Sequence, residues 1–262
     1  PEVWRALAQR CAHWLADASV AGIVVTHGTD TIEETAFFLS AVLQADKPVV
    51  LTCAMRPATA LSPDGPQNVR DAIAVAMADG ARGVSVVCAG AIHAAADVQK
   101  VHTYRLDAFS SGDAGPLGFV EEGRVGCVRP WPAPVASAAE AVRAVWHKGR
   151  AWPRVEIVVS HAGAGSALID TLLRERIDGV PGAIDGLVLA ATGNGTLHRD
   201  IERAAAQAQV AGVAVLRATR CFDGRILPKA GDTIPDAGAL SPVKARTALM
   251  LQLMQSAGTR PG

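Results

Sequence analysis

The chain reads as an α/β protein made of two units, each a parallel sheet flanked by helices, the second smaller than the first. Short β-branched runs alternate with helical stretches of about ten or more residues, the pattern of parallel strands joined by crossover helices. Three prolines fall within Arg129-Pro130-Trp131-Pro132-Ala133-Pro134, which reads as an extended linker. The alternation restarts beyond it. Domains are therefore expected at residues 1–130 and 146–262, with a linker at 131–145.

In chain order, Val3, Leu7, Cys11 and Leu15 share helical spacing and predict an opening amphipathic helix. Ala21-Gly22-Ile23-Val24-Val25-Thr26 reads as a buried strand, followed by a helix from about Thr31 to Leu43. A strand at Val49 to Thr52, a Pro/Ser loop, a helix from about Gln67 to Met77 and a strand at Val84 to Cys88 continue the series. Residues 90–118 are less regular, and Gly112, Gly115 and Gly118 suggest loops and a hairpin. In the second unit, strands are expected at Val155 to Ser160, Leu187 to Ala190 and Val213 to Leu216. The helices are expected at about Ser166 to Arg176, Leu197 to Ala208 and Pro242 to Met254.

Composition narrows the function. Lys plus Arg equals Asp plus Glu and no basic run occurs, which argues against a nucleic-acid partner. No apolar run reaches the roughly 20 residues needed to span a bilayer, so a soluble protein without a membrane partner is expected. Cys11, Cys53, Cys88, Cys127 and Cys221 lie far apart, form no C-x-x-C pair and are odd in number. They read as small buried apolar residues and lean toward the cytoplasm rather than the periplasm. The seven histidines show no metal-binding spacing, and neither a dinucleotide fingerprint, a nucleophile elbow nor a phosphate loop occurs. No metal and no cofactor are expected.

Four segments carry candidate chemistry. In Val25-Thr26-His27-Gly28-Thr29-Asp30-Thr31 a strand ends, glycine permits a turn and a polar cluster opens a helix. Ligands of doubly wound sheets bind at the carboxyl ends of strands, and a helix N-terminus suits a carboxylate. The competing reading is a capping box, since Glu33 and Glu34 follow Asp30 and Thr31 at the right spacing. Thr52-Cys53-Ala54-Met55-Arg56-Pro57, with Ser62-Pro63-Asp64-Gly65-Pro66, again follows a strand end and reads equally well as a turn. In Asp97-Val98-Gln99-Lys100, the lysine is a surface charge unless it lies buried near Asp30, where desolvation would favour proton transfer. Thr192-Gly193-Asn194-Gly195-Thr196 is a strand-to-helix turn whose glycines allow close backbone approach, and His198 replaces the third glycine of a dinucleotide motif.

Taken together, these segments resemble the bacterial-type asparaginase and glutaminase-asparaginase family. The resemblance covers nearly the whole chain, including Ala108-Phe109, Gly115-Pro116-Leu117-Gly118 and Lys244-Ala245-Arg246, and Thr26-His27-Gly28-Thr29-Asp30-Thr31 is highly specific. It implies a flavodoxin-like doubly wound domain followed by a smaller α/β domain, and L-asparagine, with L-glutamine as a second candidate substrate. It implies homodimers or homotetramers with sites at subunit interfaces. Carried over by position, Thr29, Asp30 and Lys100 form the catalytic threonine–acid–lysine triad. Gly28, Thr29 and Asp30 hold the substrate, Ala54 offers backbone to the scissile amide, and Asn194 reaches the neighbouring subunit's site. The chemistry is amide hydrolysis through a threonine acyl-enzyme.

Departures from the family accompany the match. Its Thr-Gly-Gly-Thr-Ile signature, carrying a further catalytic threonine, its lid tyrosine and a carboxylate-binding serine would all precede Pro1. Roughly 50–60 residues are thus expected to be missing, and impaired catalysis with them. The late acidic residue of the type II branch has no clear counterpart; Asp223, Asp232 and Asp236 are candidates. The alternatives are an amino-acid-binding protein without turnover, and an ammonia-generating amidotransferase subunit.

Overall fold

The computed structural model describes residues 2–133, 145–146 and 151–256. Most of the expected linker, from Pro134 onward, lies outside the described residues. The chain divides into two compact units, Pro1–Trp146 and His147–Gly262.

The first unit begins with helix α1 (Glu2–Leu15), strand β1 (Ile23–Thr26), helix α2 (Ile32–Val42), strand β2 (Pro48–Thr52), helix α3 (Gly65–Ala76) and strand β3 (Gly83–Cys88). β1 pairs parallel to β2 and β2 parallel to β3, with Thr26 opposite Thr52 and Thr52 opposite Val87. Every residue of β2 and β3 is buried, so both faces of the sheet centre are covered. Side chains alternate between faces: Val50 and Val87 join Ala72, Val75 and Ala76 of α3 in one core cluster. Phe38, Leu39 and Val42 of α2 are buried as well, and Phe38 stacks on Trp4 of α1 at 4.8 Å between ring centroids.

β1 differs from its expected burial. It forms the edge of the six-stranded sheet and is only half-buried, because a strand's burial depends on a neighbour along both edges and over both faces. The region expected as loops and a hairpin extends the sheet instead. Strands β4 (Ala91–Ala94), β7 (Gly118–Glu121) and β8 (Arg124–Cys127) add antiparallel in the order β1-β2-β3-β4-β7-β8, making the sheet mixed. A separate ribbon of β5 (Gln99–Lys100) and β6 (Phe109–Ser110) stands apart. Gly118 occurs where β7 and β8 approach closely: a Cβ there would run into the Gly126 carbonyl and lie 2.9 Å from Cys127 Cα.

The second unit holds three parallel strands, β9 (Val155–Val159), β10 (Gly186–Ala191) and β11 (Ala214–Thr219), in the order β11-β10-β9. Helices α4 (Ala167–Ile177), α5 (Arg199–Val210) and α6 (Pro242–Ser256) complete it. β11 runs three residues further than expected, since its pairing with β10 continues to Ala191 opposite Thr219. Ile169, Leu172, Leu187, Leu189, Ile201 and Val213 lie in its core cluster. Three cysteines are buried as expected, but Cys127 and Cys221 are exposed: one ends the outermost strand and the other opens the loop after β11.

Candidate active site

Parallel pairing brings the carboxyl ends of β1 and β2 side by side, and the His27 N–H donates to Thr52 O at 2.9 Å just beyond them. The polar loops following both strands therefore emerge at one end of the sheet. The first is pinned by a directional chain. Gly28 O can only accept, so His27 Nδ1, at 2.8 Å, carries its proton. In the neutral ring Nε2 is then the acceptor of the Thr35 hydroxyl at 3.0 Å, while Thr35 Oγ1 accepts from Trp4 Nε1–H at 3.0 Å. Two helices thus fix the turn at residues 27–28, ahead of Thr29.

The side-chain cap expected at Thr31 does not form: Thr31 is the N-cap residue of α2 but makes no side-chain cap bond. Asp30 turns elsewhere: Lys100 Nζ lies 2.7 Å from Asp30 Oδ1 and 2.8 Å from Thr29 Oγ1, and the Thr29 hydroxyl donates to Asp30 Oδ1 at 3.3 Å. The hydrogen bond from Lys100 and its positive charge, helped by Thr29, hold the Asp30 carboxyl below the usual carboxylate range. Asp30 is 90% exposed while Lys100 is 18% exposed. An ion pair that open to water contributes little stability, so folding alone does not account for it.

Lys100 reaches this position from the β5–β6 ribbon, where it pairs with Phe109. Buried Val98 anchors the ribbon's start, and Arg129 ties its base by bonding Asp97 at 3.0 Å, Ala114 O at 2.9 Å and Gly115 O at 2.7 Å.

The second loop is clamped by residues that the sequence reading did not single out for this role. Asp64 sits at the N-cap position of α3 without capping it. Its carboxylate instead accepts from the N–H groups of Met55 and Arg56, both at 2.8 Å. Burial pushes the Asp64 carboxyl up, but the Met55, Arg56 and Asn68 donors outweigh it and leave it lowered. Buried Asn68 donates to Cys53 O at 2.8 Å and accepts from Ala89 N–H at 3.0 Å, joining the ends of β2 and β3. Ala54, exposed, lies between these two clamps. The available signal was an asparagine in the first turn of α3, on the face that also buries Asp71, Ala72, Val75 and Ala76.

Thr29, Asp30 and Lys100 thus meet, Gly28 belongs to the same turn with its carbonyl taken by His27, and Ala54 crowns the neighbouring loop. Asn194 lies in the second unit. There Gly193 and Gly195 both adopt positive φ, +48° and +81°, in a tight turn closed by Thr192 and Thr196. The Asn194 amide is committed to Leu227, accepting from its N–H at 2.7 Å and donating to its carbonyl at 3.2 Å. Asp232 is held by Arg217 at 2.8 Å, and Asp236 accepts from Gly238 N–H at 2.9 Å. Among the described residues no three His, Cys, Asp or Glu side chains gather as a metal-holding group. No helix among them is long and apolar enough to cross a membrane.

Comparison with known proteins decides the family. The asparaginase N-terminal family model matches residues 1–132, and the glutaminase/asparaginase C-terminal domain model matches residues 154–260. The chain belongs to the asparaginase family. It is 37% identical to L-asparaginase 2 of Bacillus subtilis, over 95% of this chain and 65% of that protein. With L-asparaginase 2 of Escherichia coli the identity is 36%, over 90% and 67%. The chain thus spans about two thirds of the length of these relatives. Among solved structures, a probable cytoplasmic L-asparaginase from Campylobacter jejuni superposes with a TM-score of 0.84 at 34% identity, covering 96% of this chain and 79% of that one. The α/β architecture, with an N-terminal asparaginase domain and a smaller C-terminal one, is that of the family.

Proposed function

We propose that this chain carries the acid–base part of an amidohydrolase site that cleaves the side-chain amide of L-asparagine, with L-glutamine as a second candidate substrate, to the carboxylate and ammonia. The observation that carries the proposal is the placement of one lysine amine within hydrogen-bond reach of both the Thr29 hydroxyl and the Asp30 carboxylate. A threonine hydroxyl becomes a useful nucleophile only when a base accepts its proton. Lys100, once it has released its own proton, is placed to accept that of Thr29, while Asp30 stabilises the ammonium that results and receives the substrate's α-ammonium. Attack on the amide carbon forms a tetrahedral oxyanion, which backbone N–H groups at the strand ends stabilise. Lys100 then returns the proton to the leaving ammonia, and water hydrolyses the ester. In this reading Ala54 offers its backbone to the scissile amide, and Gly28 helps hold the substrate's backbone groups.

We further read the working species as two or four copies of the chain, with Asn194 serving a neighbouring copy's site. The names of the L-asparaginase relatives support the substrate.

Ammonia release from L-asparagine, followed by a coupled assay, tests the reading. Lys100→Met is expected to lower kcat by at least about 100-fold, the usual contribution of a positioned acid–base group, with the thermal midpoint unchanged. Turnover that survives the substitution would remove Lys100 from the mechanism. A thermal shift with asparagine but no ammonia from the unaltered protein would point to binding without turnover.

A further inference from the structure

Directly beneath the Ala54 loop lie two thiols that the proposed hydrolysis does not use. Cys53 follows the last residue of β2 and Cys88 ends β3, one step beyond the paired residues Thr52 and Val87. Their sulfur atoms are 3.6 Å apart, and both residues are buried, at 5% and 2% exposure. Both are free thiols. Neighbouring strands stand about 4.8 Å apart, inside the Cα separation of about 4.4–6.8 Å that a disulfide accepts. Bonding at about 2.05 Å therefore asks the sulfurs to close by about 1.5 Å.

We propose that Cys53 and Cys88 form an oxidation site, a dithiol that a small peroxide converts to a disulfide, and that closing it displaces the Ala54 loop. The thiolate is the reactive form, and Cys88 is the member equipped to become one: Cys53 S–H donates to it and Asn68 Nδ2 lies 3.8 Å away. The Cys53 contact, opposed by burial, holds the Cys88 thiol below its usual value; the same neighbour together with burial pushes Cys53 up. The Cys88 thiolate attacks one peroxide oxygen, the O–O bond breaks, and sulfenic acid and hydroxide form. The Cys53 sulfur then attacks the sulfenic sulfur, the S–O bond breaks, and the departing hydroxide takes the Cys53 proton. Two thiols and one hydrogen peroxide become one disulfide and two waters. Burial selects the oxidant, since a molecule little larger than water can enter where a peptide disulfide cannot.

The coupling to the neighbouring loop runs through named bonds. Cys53 O accepts from Asn68, and the Met55 and Arg56 amides just beyond it are held by Asp64. Drawing Cys53 toward Cys88 pulls on the segment between these clamps. The pairing is independent of the proposed reaction and is tested without it.

The exposed Cys127 and Cys221 are first blocked with iodoacetamide on the native protein. Hydrogen peroxide is added, and the unfolded chain is then treated with N-ethylmaleimide and digested. The expected product is a cross-linked pair of peptides containing Cys53 and Cys88, lighter by about 2 Da than the two thiols, free of maleimide and released by dithiothreitol. Oxidised glutathione in place of peroxide is expected to leave both as maleimide adducts, and in Cys88→Ala, Cys53 is expected to be recovered without a cross-link. Recovery of both as adducts after peroxide, or as separate sulfinic acids, overturns the site. Hydrogen exchange at the Met55 and Arg56 amides is expected to rise several-fold on oxidation; unchanged exchange overturns the coupling to the loop.

Discussion

At the scale of single residues, the site is governed by what Lys100 does to its neighbours. Its amine holds the Asp30 carboxyl below the usual carboxylate range, chiefly through a direct hydrogen bond. A depressed folded pKa means that the paired state is complete above the ordinary carboxylate value and is lost only as pH falls through the lower, folded one. The Asp30–Lys100 pair is therefore expected to persist through neutral and mildly acid pH. A carboxyl-carbon NMR titration should place the Asp30 midpoint below 3.8, and Lys100→Met should move it upward. A midpoint indifferent to the substitution would mean that the two groups do not interact in solution. Thr35 is the second residue with an outsized role, since one buried hydroxyl serves Trp4 and His27 together. Thr35→Val leaves the half-buried Trp4 and His27 without this partner and is expected to cost about 1–2 kcal/mol in urea unfolding, the scale of two lost hydrogen bonds.

Elements place the loops that carry these residues. Two parallel strands deliver the 27–31 and 53–64 loops to the same end of the sheet, and α3 reaches back to hold the second through Asp64 and Asn68. Asp64→Ala releases the Met55 and Arg56 amides and is expected to destabilise the protein by about 2 kcal/mol, the scale of hydrogen bonds to a charged acceptor. Faster exchange confined to those amides is the accompanying signature; exchange rising evenly across the chain would contradict it. The β7–β8 pair sets the opposite limit, where space rather than bonding decides. Gly118→Ala drives a methyl group into the Gly126 carbonyl and should cost about 1–3 kcal/mol or more as overpacking, read as a lowered thermal midpoint.

The whole molecule consists of two units, each with its own apolar core, and the candidate triad lies entirely within the first. The second contributes a glycine-bracketed turn whose asparagine is locked to Leu227. Its core tolerates little truncation: Leu189→Ala, at a fully buried position of β10, is expected to cost about 3 kcal/mol. The loss should be read from probes in the second unit, such as slowed-exchange amides of β10 and β11. A uniform loss of protection reaching β2 and β3 would show that the two units unfold together.

Much of the architecture was legible in the chain. The alternation of β-branched runs with helical stretches marked the parallel strands and their helices, because periodicity is a local property that each segment displays unaided. The motif loops could be assigned to strand carboxyl ends for the same reason. Three features became visible only in three dimensions. The antiparallel strands β4, β7 and β8 have four residues each, too few to show a period, and they form because β3 offers β4 a partner, β4 offers one to β7 and β7 to β8. The contact of Asp30 with Lys100, 70 residues away, was implied by the family resemblance, but no local pattern encodes it and only the structure shows the two groups in reach. The pairing of Cys53 with Cys88 likewise follows from strand register across 35 residues. Sequence determines what each segment prefers to be; which distant side chains meet is decided by the packing that closes the chain.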